Sequence, residues 1–146
     1  MTLENRTHIS WWPKTVYGRD GQPLGGVPFK PSPGEVLTLE HDIKSEGRSP
    51  DRIIKVDGLD EVAIQKWWDN FGQNNKEWEF FGQNCAKTIA DGLTAGGGWN
   101  RAFMSGSTLP VNFIWTPSNV ANYATAIRDF QKGARREFPS SCGLCQ

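Results

Sequence analysis

A single cysteine stands in the segment Phe81-Gly82-Gln83-Asn84-Cys85-Ala86-Lys87-Thr88-Ile89, at the first turn of a predicted helix and directly behind a Gly-Gln-Asn turn. A thiol placed there faces backbone N–H groups that have no partner inside the helix, and the positive end of the helix dipole. Both influences favour the thiolate and would bring a cysteine pKa down from about 8.5 towards neutrality. Cys85 would then be a nucleophile for acyl chemistry, provided that a base stands beside it. Without a base it would be no more than a small buried hydrophobe.

The chain has two histidines, His8 and His41. His8 lies in Thr7-His8-Ile9-Ser10, where alternation predicts a strand with His8, Ser10 and Trp12 on one face and Ile9 and Trp11 on the other. It is the leading candidate for the base. His41, beside the carboxylates of Glu40 and Asp42, is the second candidate. Gln83 and Asn84 are the support residues. Gln83 could offer a side-chain donor to an oxyanion or merely shape the turn, and Asn84 is read as a turn former.

The other cysteines, Cys142 and Cys145, form a C-x-x-C at the end of the chain. No second C-x-x-C and no histidine pair is present to complete a zinc site, so no metal and no cofactor is expected. Residues 139–146 read as a flexible tail.

The elements that must position these groups fit one domain over residues 1–146, long enough for its own core. Hydrophobic residues make up 37% of the chain and charged residues 22%, an ordinary globular balance. Sixteen basic residues offset sixteen acidic ones, which leaves no electrostatic footprint for nucleic acid. No signal-like segment and no membrane-length apolar run is present, so the chain reads as soluble. Seven Trp and eight Phe either fill a small core or line a groove for an acyl chain, a sugar or a membrane interface.

Along the chain, residues 6–12 read as a strand stopped by Pro13, and 18–34 as a loop rich in Gly and Pro. Residues 35–41 and 52–56 read as two further strands, separated by a polar turn. Asp60 caps a predicted helix over 61–71 with Ile64, Trp67, Trp68 and Phe71 as its buried stripe. The Cys85 helix presents Ala86, Ile89, Ala90 and Leu93 to the core and ends at Gly96-Gly97-Gly98. Residues 111–115 read as extended, and Thr116-Pro117 opens a last helix with Val120, Tyr123, Ala124, Ile127 and Phe130 at helical spacing.

An early strand carrying a histidine, followed by an Asn-Cys pair that opens a helix, resembles the circularly permuted papain-like superfamily. That superfamily includes NlpC-type peptidases and the lecithin:retinol acyltransferase-like lipid enzymes. Asn84-Cys85 resembles the Asn-Cys motif of the lipid branch, and Thr7-His8-Ile9 its second-strand histidine. The phrase His8-Ile9-Ser10-Trp11-Trp12-Pro13 and the helix start Gly58-Leu59-Asp60-Glu61 resemble bacterial proteins of this kind that are suspected secreted toxins. The resemblance covers about residues 1–95.

It implies an α+β fold: a small antiparallel sheet packed against a central cysteine-bearing helix. It also implies that residues 1–5 end the strand and form the turn before His8, with the family's first-strand base standing ahead of Met1. A His8 ring nitrogen would lie about 3–4 Å from the Cys85 sulfur. The implied activity is a cysteine-dependent acyl hydrolase or acyltransferase acting on a lipid ester, as in a phospholipase-like bacterial effector. The alternatives are a cell-wall peptidase or amidase, and an aromatic-rich binding module that lacks the base. The implied partners are a lipid or peptide substrate, an inhibitor or immunity protein, and peripheral contact with a membrane. Delivery would be by a secretion system.

Overall fold

The computed structural model describes residues 1–15, 31–75, 77–104 and 114–137. Among these the order of elements is β1 (Trp12–Pro13), β2 (Ser32–Glu35), α1 (Leu39–Glu46), α2 (Glu61–Asn74), β3 (Glu77–Trp78), α3 (Cys85–Ala95), α4 (Gly98–Met104) and α5 (Pro117–Glu137). The architecture is α+β: a small antiparallel sheet of order β1-β2-β3 and, among the described residues, five helices. The expected packing of the Cys85 helix against the sheet is corrected: the aromatic side chains of the sheet pack on α2, while α3 packs on α2, α4 and α5.

The chain opens as a tight hairpin. Thr2 and His8 stand opposite each other, Met1 and Ile9 exchange hydrogen bonds of 2.7 and 2.9 Å, and Arg6 turns the chain with a φ of 70°. This is the strand end and turn expected of residues 1–5. Pro13, expected to stop the strand, is instead paired within β1 opposite Gly34. The sheet tolerates prolines because its ladders are two residues long and staggered. Gly34 and Glu35 of β2 pair with β1, while Ser32 and Pro33 pair with β3. Gly34 is also required by packing: a Cβ there would lie 1.8 Å from the Trp11 ring.

Residues 36–41 do not continue as a strand. Thr38 ends the extended run by accepting the His41 N–H at its side-chain oxygen, Glu40 and Asp42 occupy the first turn, and Gly47 closes the helix in the left-handed region at φ 67°. A cap at each end and acidic residues at the positive end thus override the alternating pattern. Nor do residues 52–56 form a strand. They find no strand partner; Arg52 donates instead to Thr125 of α5 at 3.0 Å, while Ile54 and Val56 pack on the core.

α2 starts at Asp60, whose carboxylate accepts the Ala63 N–H at 2.9 Å, and runs to Asn74, one turn beyond the predicted end. α4 was not predicted; its opening glycine is packed against Leu93 and Ile127, where no side chain fits. Of the segment 111–115, residues 111–113 lie outside the described residues, as do Cys142, Cys145 and most of the loop 18–34.

The core is continuous through three clusters. Leu93, Ala102, Tyr123 and Ile127 join α3, α4 and α5; Leu3, Ile9 and Ile64 join the hairpin to α2; Trp11, Phe71 and Trp78 join the sheet to α2. Trp67 and Trp68 link the last two clusters, and Ile89 of α3 links the first two.

Candidate active site

Asn84 sets the start of α3. Its side-chain oxygen accepts the Lys87 N–H at 2.8 Å, and its amide donates to the carbonyls of Phe80 and Trp115 at 2.9 and 3.1 Å. A buried cap with both amide protons committed holds the turn before Cys85 to α3 and to the segment entering α5. The backbone N–H groups of Cys85 and Ala86, at the open end of the helix, act on the Cys85 sulfur.

Those donors favour the thiolate, as expected for a helix start, but they do not prevail. Burial pushes the thiol pKa up, and the carboxylates of Glu46 and Asp42 push it further in the same direction. The resting group is the thiol, so the expectation of a thiolate formed near neutrality is corrected. The desolvation of a half-buried sulfur outweighs two amide dipoles.

Cys85 lines a cleft of about 950 Å3 whose walls come from the hairpin, α1, residues 48–59, α3 and the start of α5. His8 and Asp42 line the same cleft. His8 Nε2 lies 2.7 Å from Asp42 Oδ2, with 13% and 20% of the two side chains exposed. The other carboxylate oxygen accepts from Ser10 Oγ at 2.8 Å, and His8 Nδ1 lies 2.9 Å from Thr2 Oγ1. Because Ser10 and His8 alternate onto one strand face, both reach the same carboxylate; Ile9 and Trp11, on the other face, are buried. Both ring nitrogens of His8 are therefore engaged, and no hydrogen bond joins either to Cys85 Sγ.

The remaining candidates fall elsewhere. His41 is exposed on α1 and lies off the cleft. Gln83 gives its amide to Thr88 Oγ1 at 3.0 Å and to Asp91 at 3.4 Å, so it braces the first turns of α3 rather than facing the cleft. Asn84 is the cap, in keeping with its reading as a turn former. The functional residue that the sequence reading missed is Asp42. The signal was present in Thr38, three residues before His41 and four before Asp42, which marks a helix start and turns Asp42 towards the hairpin. No group of three or more His, Cys, Asp or Glu among the described residues could hold a metal ion.

Fold and site together define an α+β domain with a cysteine at a helix start and a His–Asp pair sharing its cleft. The chain belongs to the IcsB middle domain family, whose model matches residues 35–139 and so includes Asp42 and Cys85. It is also 29% identical over 79 residues to a multifunctional-autoprocessing repeats-in-toxin protein of Vibrio cholerae serotype O1, a match covering 53% of this chain and 2% of the toxin. The corresponding toxin of Vibrio vulnificus is 30% identical over 80 residues, again 53% of this chain and 2% of the toxin. The chain thus resembles a small segment of bacterial toxins. No solved structure matches it. Among the described residues, no helix is long and apolar enough to cross a membrane.

Proposed function

We propose that this chain is a bacterial effector domain with a permuted papain-like active site, acting as a cysteine-dependent acyl hydrolase or acyltransferase on a lipid ester. The observation that carries this reading is the meeting of Cys85, His8 and Asp42 in one cleft, with His8 held by the carboxylate at 2.7 Å. Because the thiol rests protonated, His8 acts as a general base during attack. A neutral His8 ring that donates from Nε2 to Asp42 keeps its lone pair on Nδ1. That nitrogen releases the Thr2 hydroxyl and takes the Cys85 proton.

The sulfur then bonds to the carbonyl carbon, and the alcohol of the ester leaves with the proton from the imidazolium. The acyl group remains on sulfur until water or an acceptor removes it. The N–H groups of Cys85 and Ala86, at the start of α3, are the natural donors to the oxyanion. Leu39, Ile43, Ile53 and Ile89 in the cleft wall favour an acyl chain over a peptide.

The second reading, a non-catalytic binding module, is favoured by the engaged ring nitrogens of His8 and the raised thiol pKa. Hydrolysis of p-nitrophenyl acyl esters and of phospholipid vesicles separates the two. Cys85→Ala should reduce turnover to background while leaving the circular dichroism unchanged, since a thiol-to-methyl change costs about 1 kcal/mol. Turnover that survives in this variant would refute the cysteine mechanism. Release of cell-wall peptide instead of fatty acid would move the substrate to the amidase class.

A further inference from the structure

Asp42 is held from two sides. One oxygen faces His8 Nε2 at 2.7 Å and the other accepts from Ser10 Oγ at 2.8 Å. Ser10 is only 5% exposed, so its hydroxyl has no bulk water to turn to, and a carboxylate offers it acceptors only. The same restriction decides the tautomer of His8. Since Asp42 cannot donate when ionised, Nε2 must carry a proton, and in the neutral ring Nδ1 is then the acceptor. Thr2 stands directly across the hairpin from His8, in a pair whose side chains lie close, and its hydroxyl reaches Nδ1 at 2.9 Å. Thr2 Oγ1, His8, Asp42 and Ser10 Oγ thus form one hydrogen-bonded row that crosses from the hairpin to α1 and returns to Ser10.

We propose that Ser10 is a positioning residue: the charge of Asp42 sets His8 as the Nε2–H tautomer, and Ser10, by fixing the second carboxylate oxygen, holds Asp42 and with it the His8 ring in one orientation. This rests on the reading of His8 as the base for Cys85, but the tautomer can be read without any activity. If Ser10 is lost, Asp42 keeps its charge and gains freedom to rotate. The ring of His8 is then fixed at one nitrogen by a mobile partner. The imidazole would keep its tautomer but be held less firmly in orientation, which lowers turnover without touching substrate binding.

The test is a long-range 1H–15N correlation spectrum of the uniformly labelled chain at a pH where both histidines are neutral. The chain has two histidines, so the exposed His41 serves as the internal reference for an unconstrained ring. His8 should show one pyrrole-type Nε2 and one pyridine-type Nδ1, whereas His41 should show averaged tautomers. Ser10→Ala should keep that tautomer, speed the solvent exchange of the His8 Nε2–H proton severalfold, and cut kcat on a p-nitrophenyl acyl ester by about tenfold, with KM unchanged.

A wild-type His8 protonated on Nδ1, or averaged like His41, would overturn the proposal, and that measurement needs no variant to fold. A Ser10→Ala protein whose His8 Nε2–H exchanges with solvent no faster than in the wild type would overturn it as well. A fixed Nε2–H tautomer, with faster exchange in Ser10→Ala, in a chain with no acyl activity would uphold the positioning role and refute the functional reading instead.

Discussion

The Cys85 sulfur sits between opposing influences. Two amide N–H groups draw charge onto it, while burial and the carboxylates of Glu46 and Asp42 keep it protonated. Asp42 cannot be spared, because it holds His8. Glu46, one turn further along α1, makes no hydrogen bond or ion pair to the site and acts only through its charge. Replacing Glu46 with Gln removes a negative charge near the sulfur, which eases thiolate formation and lowers the thiol pKa. The pH profile for alkylation of Cys85 by iodoacetamide should therefore move to lower pH, with a few-fold faster reaction at pH 8. A profile that moves upward or not at all would mean that Glu46 does not act on the sulfur.

Cys85 and His8 could be found from residue type alone, since each had few competitors in the chain. The state of the thiol could not. It depends on burial and on α1, and α1 was hidden by a pattern that alternates as a strand does.

At the scale of elements, α1 is the least self-evident part of the fold and the most consequential. None of its residues is buried, so no helical stripe betrays it; Leu39 and Ile43 line the cleft half exposed. Its existence rests on its ends, the Thr38 cap and the left-handed Gly47. Thr38→Ala should cost about 1 kcal/mol by thermal denaturation, and should lower acyl-ester turnover more than stability alone explains, because Asp42 sits in the turn that the cap organises. Equal turnover after correction for the folded fraction would detach α1 from the site.

By contrast α2, α3 and α5 were legible. Each combines a side-chain cap with apolar residues at helical spacing, so local and tertiary signals agree. The sheet was only partly legible, because two-residue ladders carry almost no periodicity and one of them contains Pro13. Its packing is nonetheless strict. Gly34→Ala places a methyl group on the Trp11 ring and should cost about 1–3 kcal/mol or more, seen as a lower thermal midpoint and altered near-ultraviolet dichroism from the tryptophans. An unchanged midpoint would mean that β2 does not lie against Trp11.

Across the whole molecule, α3 is the member on which the rest converges. Ala90 and Leu93 pack on α5, Ile89 reaches both the α5 cluster and the cluster of hairpin and α2, and Asn84 fastens its first turn to the segment before α5. Cys85 at the start of such a helix is held by the core, while His8 and Asp42 arrive from the hairpin and α1. All three line the cleft between these elements. The overall class, α+β with a small antiparallel sheet, could be read from caps, spacing and punctuation, but the packing of the Cys85 helix could not: expected against the sheet, α3 packs on α2, α4 and α5 instead. Nor could the meeting of residues 8, 42 and 85 in one cleft, which depends on the tertiary fold and on no local pattern.

The most direct measurement is the mass of the intact chain after incubation with a p-nitrophenyl ester of a long-chain fatty acid, followed by peptide mapping. The expected result is a single acyl adduct on the peptide containing Cys85, labile to hydroxylamine and missing in Cys85→Ala, with its formation slowed in His8→Ala and Asp42→Asn. Absence of any adduct while the chain remains folded, or an adduct that persists in Cys85→Ala, would contradict the account of this domain as a cysteine acyl enzyme.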